Sequence, residues 1–171
     1  LLCLPMIGLG QNWNQLGNDI DGEASGNESG CSVFLSSNGN TVAIGAWANH
    51  NNNGVEAGHV RIYNYNGSSW NQLGQDIDGE AAEDWSGWSV SLSSDGNTVA
   101  ILAPWNYGNG SRSGHVRIFS YNGNSWNQVG NDIDGEAAND QYAVWDQKET
   151  ICLSSDGNTV AIGAGGNDGN G

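Results

Sequence analysis

Cations are scarce in this chain. Four Lys and Arg stand against 19 Asp and Glu, a formal net charge of −15 over 171 residues. Such a field repels nucleic-acid phosphates and anionic membrane surfaces, which excludes both as partners and suits an extracellular or cation-rich setting. Long helix-forming runs of Ala, Leu, Glu and Lys are missing, while Gly (27 residues), Asn and Ser abound. Many turns and short strands follow, so an all-β protein is expected. Only three cysteines are present, Cys3, Cys31 and Cys152. Their odd number and irregular spacing define neither a disulfide framework nor a metal-ligand pattern. An apolar run long enough to span a bilayer is also lacking. The leader "LLCLPMIGLG" (residues 1–10) is too short, and reads as the apolar and cleavage end of a secretory signal peptide or as a buried first strand. The missing initiator Met suggests a fragment or a processed chain. Disorder is not indicated, because 37% of residues are hydrophobic and eight are Trp. The length suffices for one domain with a sizeable core.

What is present is a repeat. "LSSNGNTVAI" at Leu35 returns as "LSSDGNTVAI" at Leu92 and Leu153. "WNQLGNDIDGEA" at Trp13 returns at Trp70 and Trp126, with spacings of 57 and 56 residues. "GHVRIYNYNGSSW" at Gly58 returns at Gly114. The chain after the leader (residues 11–171) thus divides into approximate units 1–57, 58–113 and 114–171. The third carries five extra residues within "NDQYAVWDQKETICL".

Each unit parses into two hairpins. Val90 and Leu92 alternate into Ser94-Asp95-Gly96-Asn97, and Val99 and Ile101 resume the alternation on the far side. Asp-Gly between alternating strands is a hairpin signal, because Gly accepts the positive φ of the turn. Val60 and Ile62 likewise lead to Asn66-Gly67, with Trp70 on the returning strand. Four short strands in about 57 residues make a β-propeller-type blade. Three such antiparallel units are fewer than a closed ring needs, so an incomplete ring or part of a larger propeller is expected.

The segment Ser86–Pro104 resembles an FG-GAP repeat of the integrin α-subunit type. Gly87, Ser89 and Val90 stand at the FG end, and Ala103-Pro104 at the GAP end. The same landmarks are Gly30, Ser32, Val33 and Gly45-Ala46 in the first unit, and Gly163-Ala164 in the third. Taken together the chain is similar to secreted FG-GAP-like proteins of bacterial and algal type. The resemblance implies a β-propeller used for adhesion and ligand binding rather than catalysis. It departs from the family at the calcium loop. The family's D-x-D-x-D-G-x-x-D is reduced here to Ser94–Asn97, or Ser37–Asn40, and so short a turn cannot supply the six to eight oxygens Ca²⁺ takes.

The densest carboxylate run is "DIDGE", with Asp19, Asp21 and Glu23; Asp76, Asp78 and Glu80; and Asp132, Asp134 and Glu136. Oxygens at alternate positions around a Gly could form part of a Ca²⁺ site, the one ion for which the sequence offers candidates. Alternatively these acids cap turns and pair with Arg61 and Arg117, which are repeat equivalents and half of all the cations, in a structural Arg–carboxylate clamp. His59 and His115 precede Val-Arg-Ile at equivalent positions, which favours a scaffold over a general base. No nucleophile elbow or triad-like set is visible. Trp13, Trp70 and Trp126 recur in register and read as core.

The segments after Gly-Ala differ between units, and such loops usually carry a propeller's recognition. Trp47, Asn49 and His50, with Trp105, Asn106 and Tyr107, combine aromatic faces and amides suited to stacking on sugar rings. They are equally suited to packing between blades. The expected function is a non-enzymatic, secreted or cell-surface adhesion or recognition module with a protein or glycan ligand. The alternatives are a carbohydrate-binding lectin, a structural subunit of an extracellular fibre or coat associating through an open blade edge, and a fragment of a propeller hydrolase or lyase.

Overall fold

A computed structural model describes residues 14–140 and 151–167. The leader, Trp13 and most of the extra segment of the third unit therefore lie outside the described residues. Those residues form strands and no helix. The first sheet holds β1 (Ser32–Leu35), β2 (Thr41–Ala46), β3 (His59–Tyr65), β4 (Trp70–Gln72) and β5 (Ile77–Asp78). The second holds β6 (Ser89–Leu92), β7 (Thr98–Ala103), β8 (His115–Tyr121), β9 (Trp126–Gln128) and β10 (Ile133–Asp134). The third is the pair β11 (Ile151–Leu153) and β12 (Val160–Ile162). Every pairing between these strands is antiparallel. The protein is all-β, and its sheets are not closed on themselves. Units counted from "GHVRI" are out of phase with the sheets, since a sheet begins at the strand before "LSSDGN".

The fourth strand position is interrupted in both complete sheets. β4 and β5 pair with successive parts of β3, as β9 and β10 do with β8. At the interruption Gly74 takes a φ of +68°, and the next unit's Trp126 sits against it, its indole N–H donating to Leu73 O at 2.8 Å. Trp70 repeats the contact one unit earlier, donating to Leu16 O at 2.8 Å. Trp126 is buried and Trp70 half-buried.

The repeated "SSDGN" closes each first hairpin with its own side chains. Ser93 Oγ donates to Asp95 Oδ1 at 2.6 Å, and Asp95 Oδ1 accepts from Asn97 N–H at 3.0 Å. Thr98 N–H donates to Ser93 Oγ at 2.9 Å. Ser36 with Asn38, and Ser154 with Asp156, repeat the pattern. The turns are also bonded to one another. Ser37 N–H donates to Ser94 O at 3.0 Å, and Ser94 N–H donates to Ser155 O at 2.9 Å. The segment therefore joins successive sheets as well as the two strands of its own hairpin.

Between the first two sheets, Ala43, Val60, Ile62 and Ile77 pack on Val90, Leu92, Val99, Ile101, Phe119 and Trp126. Between the second and third, Ala100, Leu102, Val116, Trp85 and Trp88 pack on Ile151 and Leu153. Strand β7 is covered on both faces, which is why its sequence is a continuous apolar run rather than an alternation. Burial on this scale, at roughly 25 cal/mol per Å² of apolar area, is the main favourable contribution to holding the sheets together.

Candidate functional site

The carboxylates of one "DIDGE" run do not converge on one another; among the described residues they converge across units. Glu23, from before the first sheet, meets His59 on β3 and Asp76 just before β5. Glu80 meets His115 on β8 and Asp132 just before β10 in the same way. In each group one ligand-type atom per residue lies within 4.8 Å of the others. Nδ1 of His59 stands 3.8 Å from Glu23 Oε2 and 3.8 Å from Asp76 Oδ2. Nδ1 of His115 stands 3.9 Å from Glu80 Oε2 and 3.7 Å from Asp132 Oδ2.

The local structure explains this convergence. The His leads the strand onto which β5 or β10 folds, and the registers His59↔Asp78 and His115↔Asp134 bring the Asp two residues earlier onto the imidazole. The Gly of "DIDGE" lets the loop run against the chain before the strand. A Cβ on Gly79 would strike Ala57 O, and one on Gly135 would strike Ser113 O. Gln of "WNQ" then anchors the Asp, with Gln72 Nε2 donating to Asp76 Oδ1 and Gln128 Nε2 to Asp132 Oδ1, both at 2.6 Å.

Both imidazoles are buried, and burial holds them below the ordinary value of 6.5. Asp76 and Glu23 oppose that shift at His59. At His115 burial, assisted by the positive charge of Arg117 and opposed by Asp132, takes the value to about 4. Both rings are therefore neutral at pH 7. The arginines flank each cluster. Arg61 Nη2 donates to Asp21 O at 2.8 Å, with Nη1 3.9 Å from Glu23 Oε1. Arg117 Nη2 donates to Asp78 O at 2.7 Å, with Nη1 3.4 Å from Glu80 Oε1. Burial raises the Glu80 carboxyl, and Arg117 opposes the rise.

The remaining acids stand apart from these groups. Asp19 takes Gln15 Nε2 at 2.8 Å, and Asp78 Oδ1 takes Asn51 Nδ2 at 3.2 Å. Glu136 Oε2 lies 3.5 Å from Asn167 Nδ2, and Asp134 is exposed.

The variable segments separate into frame and surface. Asn49, Asn106 and Asn167 occupy one repeat position, each donating its N–H to the Ala three residues back. Buried Asn49 donates to Glu23 Oε2 at 3.2 Å, and buried Asn106 to Asp84 Oδ2 at 3.0 Å. His50 and Tyr107 are exposed. Trp47 and Trp105 join Trp85 and Trp88 in a quartet. Trp105 stacks on Trp85 at 3.7 Å between centroids and 16° between planes, and Trp47 tilts against Trp85 at 4.5 Å. Arg112 lies over the Trp105 ring at 4.1 Å. Among the described residues the quartet occurs once.

Sequence reasoning singled out Trp47 and Trp105 but passed over Trp85, Trp88 and Arg112. The available signal was three tryptophans in "DWSGWS" and "APWN" at positions where the first unit has none. Cys31 and Cys152 both line a groove of about 790 Å³ beside β1, β6 and β11. No helix among the described residues is long and apolar enough to cross a membrane. No protein-family model matches the chain, and no curated protein matches it significantly.

Proposed function

We propose that the chain is a non-enzymatic recognition or adhesion module, secreted or displayed at a cell surface, whose antiparallel sheets are blades of an FG-GAP-like β-propeller. One observation carries the reading. The titratable groups that could suggest catalysis are duplicated at frame positions, whereas the tryptophan quartet with Arg112, and the exposed Tyr107 two residues after Trp105, is not repeated among the described residues. Trp85 and Trp88 are buried and Arg112 covers the Trp105 ring, so the groups offered to a ligand are the Arg112 guanidinium, the Tyr107 phenol and the half-buried margins of Trp47 and Trp105, a set that suits hydrogen bonding and edge contact with a sugar ring. The test is an array of glycans and extracellular proteins probed with the full chain, Arg112→Ala and Tyr107→Ala. Binding by the unaltered chain that weakens several-fold in both variants is expected. Undiminished binding by the variants sinks the assignment.

A second reading, the subunit of a fibre or coat, draws on a different observation. Val33 and Leu35 are 56% and 52% exposed, while their equivalents Val90, Leu92, Ile151 and Leu153 are each covered by the preceding sheet. Concentration-dependent light scattering, abolished by Val33→Asp, supports that role; a monodisperse monomer at high concentration counts against it.

A further inference from the structure

The clusters between consecutive units hold an arrangement that ion pairing and packing do not account for. His59 and His115 are each 1% exposed, yet Nδ1 of each has no hydrogen-bond partner among the described residues. It points between two carboxylate oxygens at 3.7 to 3.9 Å, beyond hydrogen-bond reach. Two atoms ligating one ion at about 2.0–2.2 Å stand roughly 3 to 4.4 Å apart. The gap is therefore the size of a dehydrated divalent ion. The oxygens that face away from the imidazole are already engaged. Gln72 and Gln128 hold Asp76 Oδ1 and Asp132 Oδ1, and Arg61 and Arg117 stand by Glu23 Oε1 and Glu80 Oε1. Such outer contacts aim the remaining oxygen of each carboxylate at the centre. The same atoms of the same residue types do this twice.

We propose that each junction between units binds one divalent transition-metal ion, through Glu23, His59 and Asp76 at the first and Glu80, His115 and Asp132 at the second. The ion would tie the loop of one unit to the strand and loop of the next. One buried imidazole with two carboxylates matches the preferences of Zn²⁺, Co²⁺ or Mn²⁺, whereas Ca²⁺ takes six to eight oxygens. Glu23 and Glu80 are 46% and 43% exposed, which leaves an entry path and open coordination positions on the solvent side. This inference is independent of the recognition surface, because it uses none of the quartet residues.

The test is calorimetric titration of the full, chelator-treated chain with Zn²⁺, with Co²⁺ as a spectroscopic probe of an imidazole ligand. Two ions per chain are expected, one for each group. The double variant Glu80→Gln/Asp132→Asn keeps the shape of both side chains and should bind one. Gln128→Ala, at an exposed position, should weaken only the second site, by about 10–100-fold. Ca²⁺ at equal concentration should not displace Zn²⁺. The proposal is overturned by absent or non-stoichiometric Zn²⁺ binding, by two ions retained in the double variant, or by displacement with equimolar Ca²⁺. Should the double variant fail to fold, an unchanged second-site affinity in Gln128→Ala overturns it equally.

Discussion

Gly39, Gly96 and Gly157 occupy the same place in the three "SSxGN" turns, with φ of +75°, +76° and +73°. Alanine meets the same left-handed strain at each, about 1–2 kcal/mol. Roughly 0.4–1 kcal/mol of this is offset because alanine restricts the unfolded chain. The surroundings differ. A Cβ at Gly39 meets only Leu35 Cδ2 at 3.9 Å, whereas one at Gly96 meets Thr41 Cβ at 2.7 Å and Oγ1 at 2.8 Å. At Gly157 it meets Thr98 Cβ at 2.9 Å. Overpacking against the first atom of a buried strand residue adds about 1–3 kcal/mol. Gly39→Ala should therefore cost about 1 kcal/mol and Gly96→Ala about 2–4 kcal/mol, with Gly157→Ala near the latter. Urea denaturation followed by tryptophan fluorescence measures all three under a two-state treatment. A cycle with Thr41→Gly, which removes the offending Cβ, should return a coupling of about 1–3 kcal/mol between positions 41 and 96. Equal costs at 39 and 96, or no coupling to Thr41, would refute the claim that the turns pack sheet on sheet.

Three further outcomes follow from other parts of the frame. Trp126→Phe removes the indole donor to Leu73 O and should cost about 1–3 kcal/mol in the same denaturation assay, more than Trp70→Phe, whose ring is half-buried. Gly135→Ala places a methyl against the backbone oxygen of Ser113, so it should destabilise by about 3 kcal/mol or more and lower Tm further than Gly123→Ala, where nothing lies within 4 Å of the added atom and only the strain of a φ of +95° is felt. Hydrogen bonds from Ser93 and Asn97 hold the Asp95 carboxyl below its ordinary 3.8, and Ser154 does the same for Asp156. A carboxyl depressed in the folded state contributes stability above the unfolded value that is lost as pH falls through the folded one. Asp95→Asn with Asp156→Asn, matching the Asn already at position 38, should flatten stability against pH below 3.8, and an unchanged acid limb contradicts the assignment.

The hairpins were legible because their signals are local. Alternation of Val90 and Leu92, an Asp-Gly turn, and an apolar return from Val99 to Ala103 involve only residues within hydrogen-bonding or pleating distance along the chain. The interrupted fourth strand was harder to see, since "WNQLGQDID" carries no strong break except Gly74. The site was half-legible. Its acids, histidines and arginines all stood out by repetition, but grouping them by nearness in sequence placed Asp76 with Glu80 rather than with Glu23. The tryptophan quartet was legible only for the two members that fall in the variable segments after Gly-Ala.

By itself the sequence determined the class of structure, the strand pairs, the turn chemistry and the residue types at each repeated position. Backbone preference and side-chain alternation act over a few residues and are the same in every copy. Tertiary structure decided what distinguishes the copies. Val33 is exposed and Val90 buried although both stand at the same place in the repeat, because a sheet covers one and none of the described residues covers the other. Glu23 meets His59 and Asp76, not its own Asp21, because stacking brings the end of one unit onto the start of the next. Near-identical copies carry no local record of which neighbour they will touch. That is settled only when the turns bond to one another and the apolar faces close between the sheets.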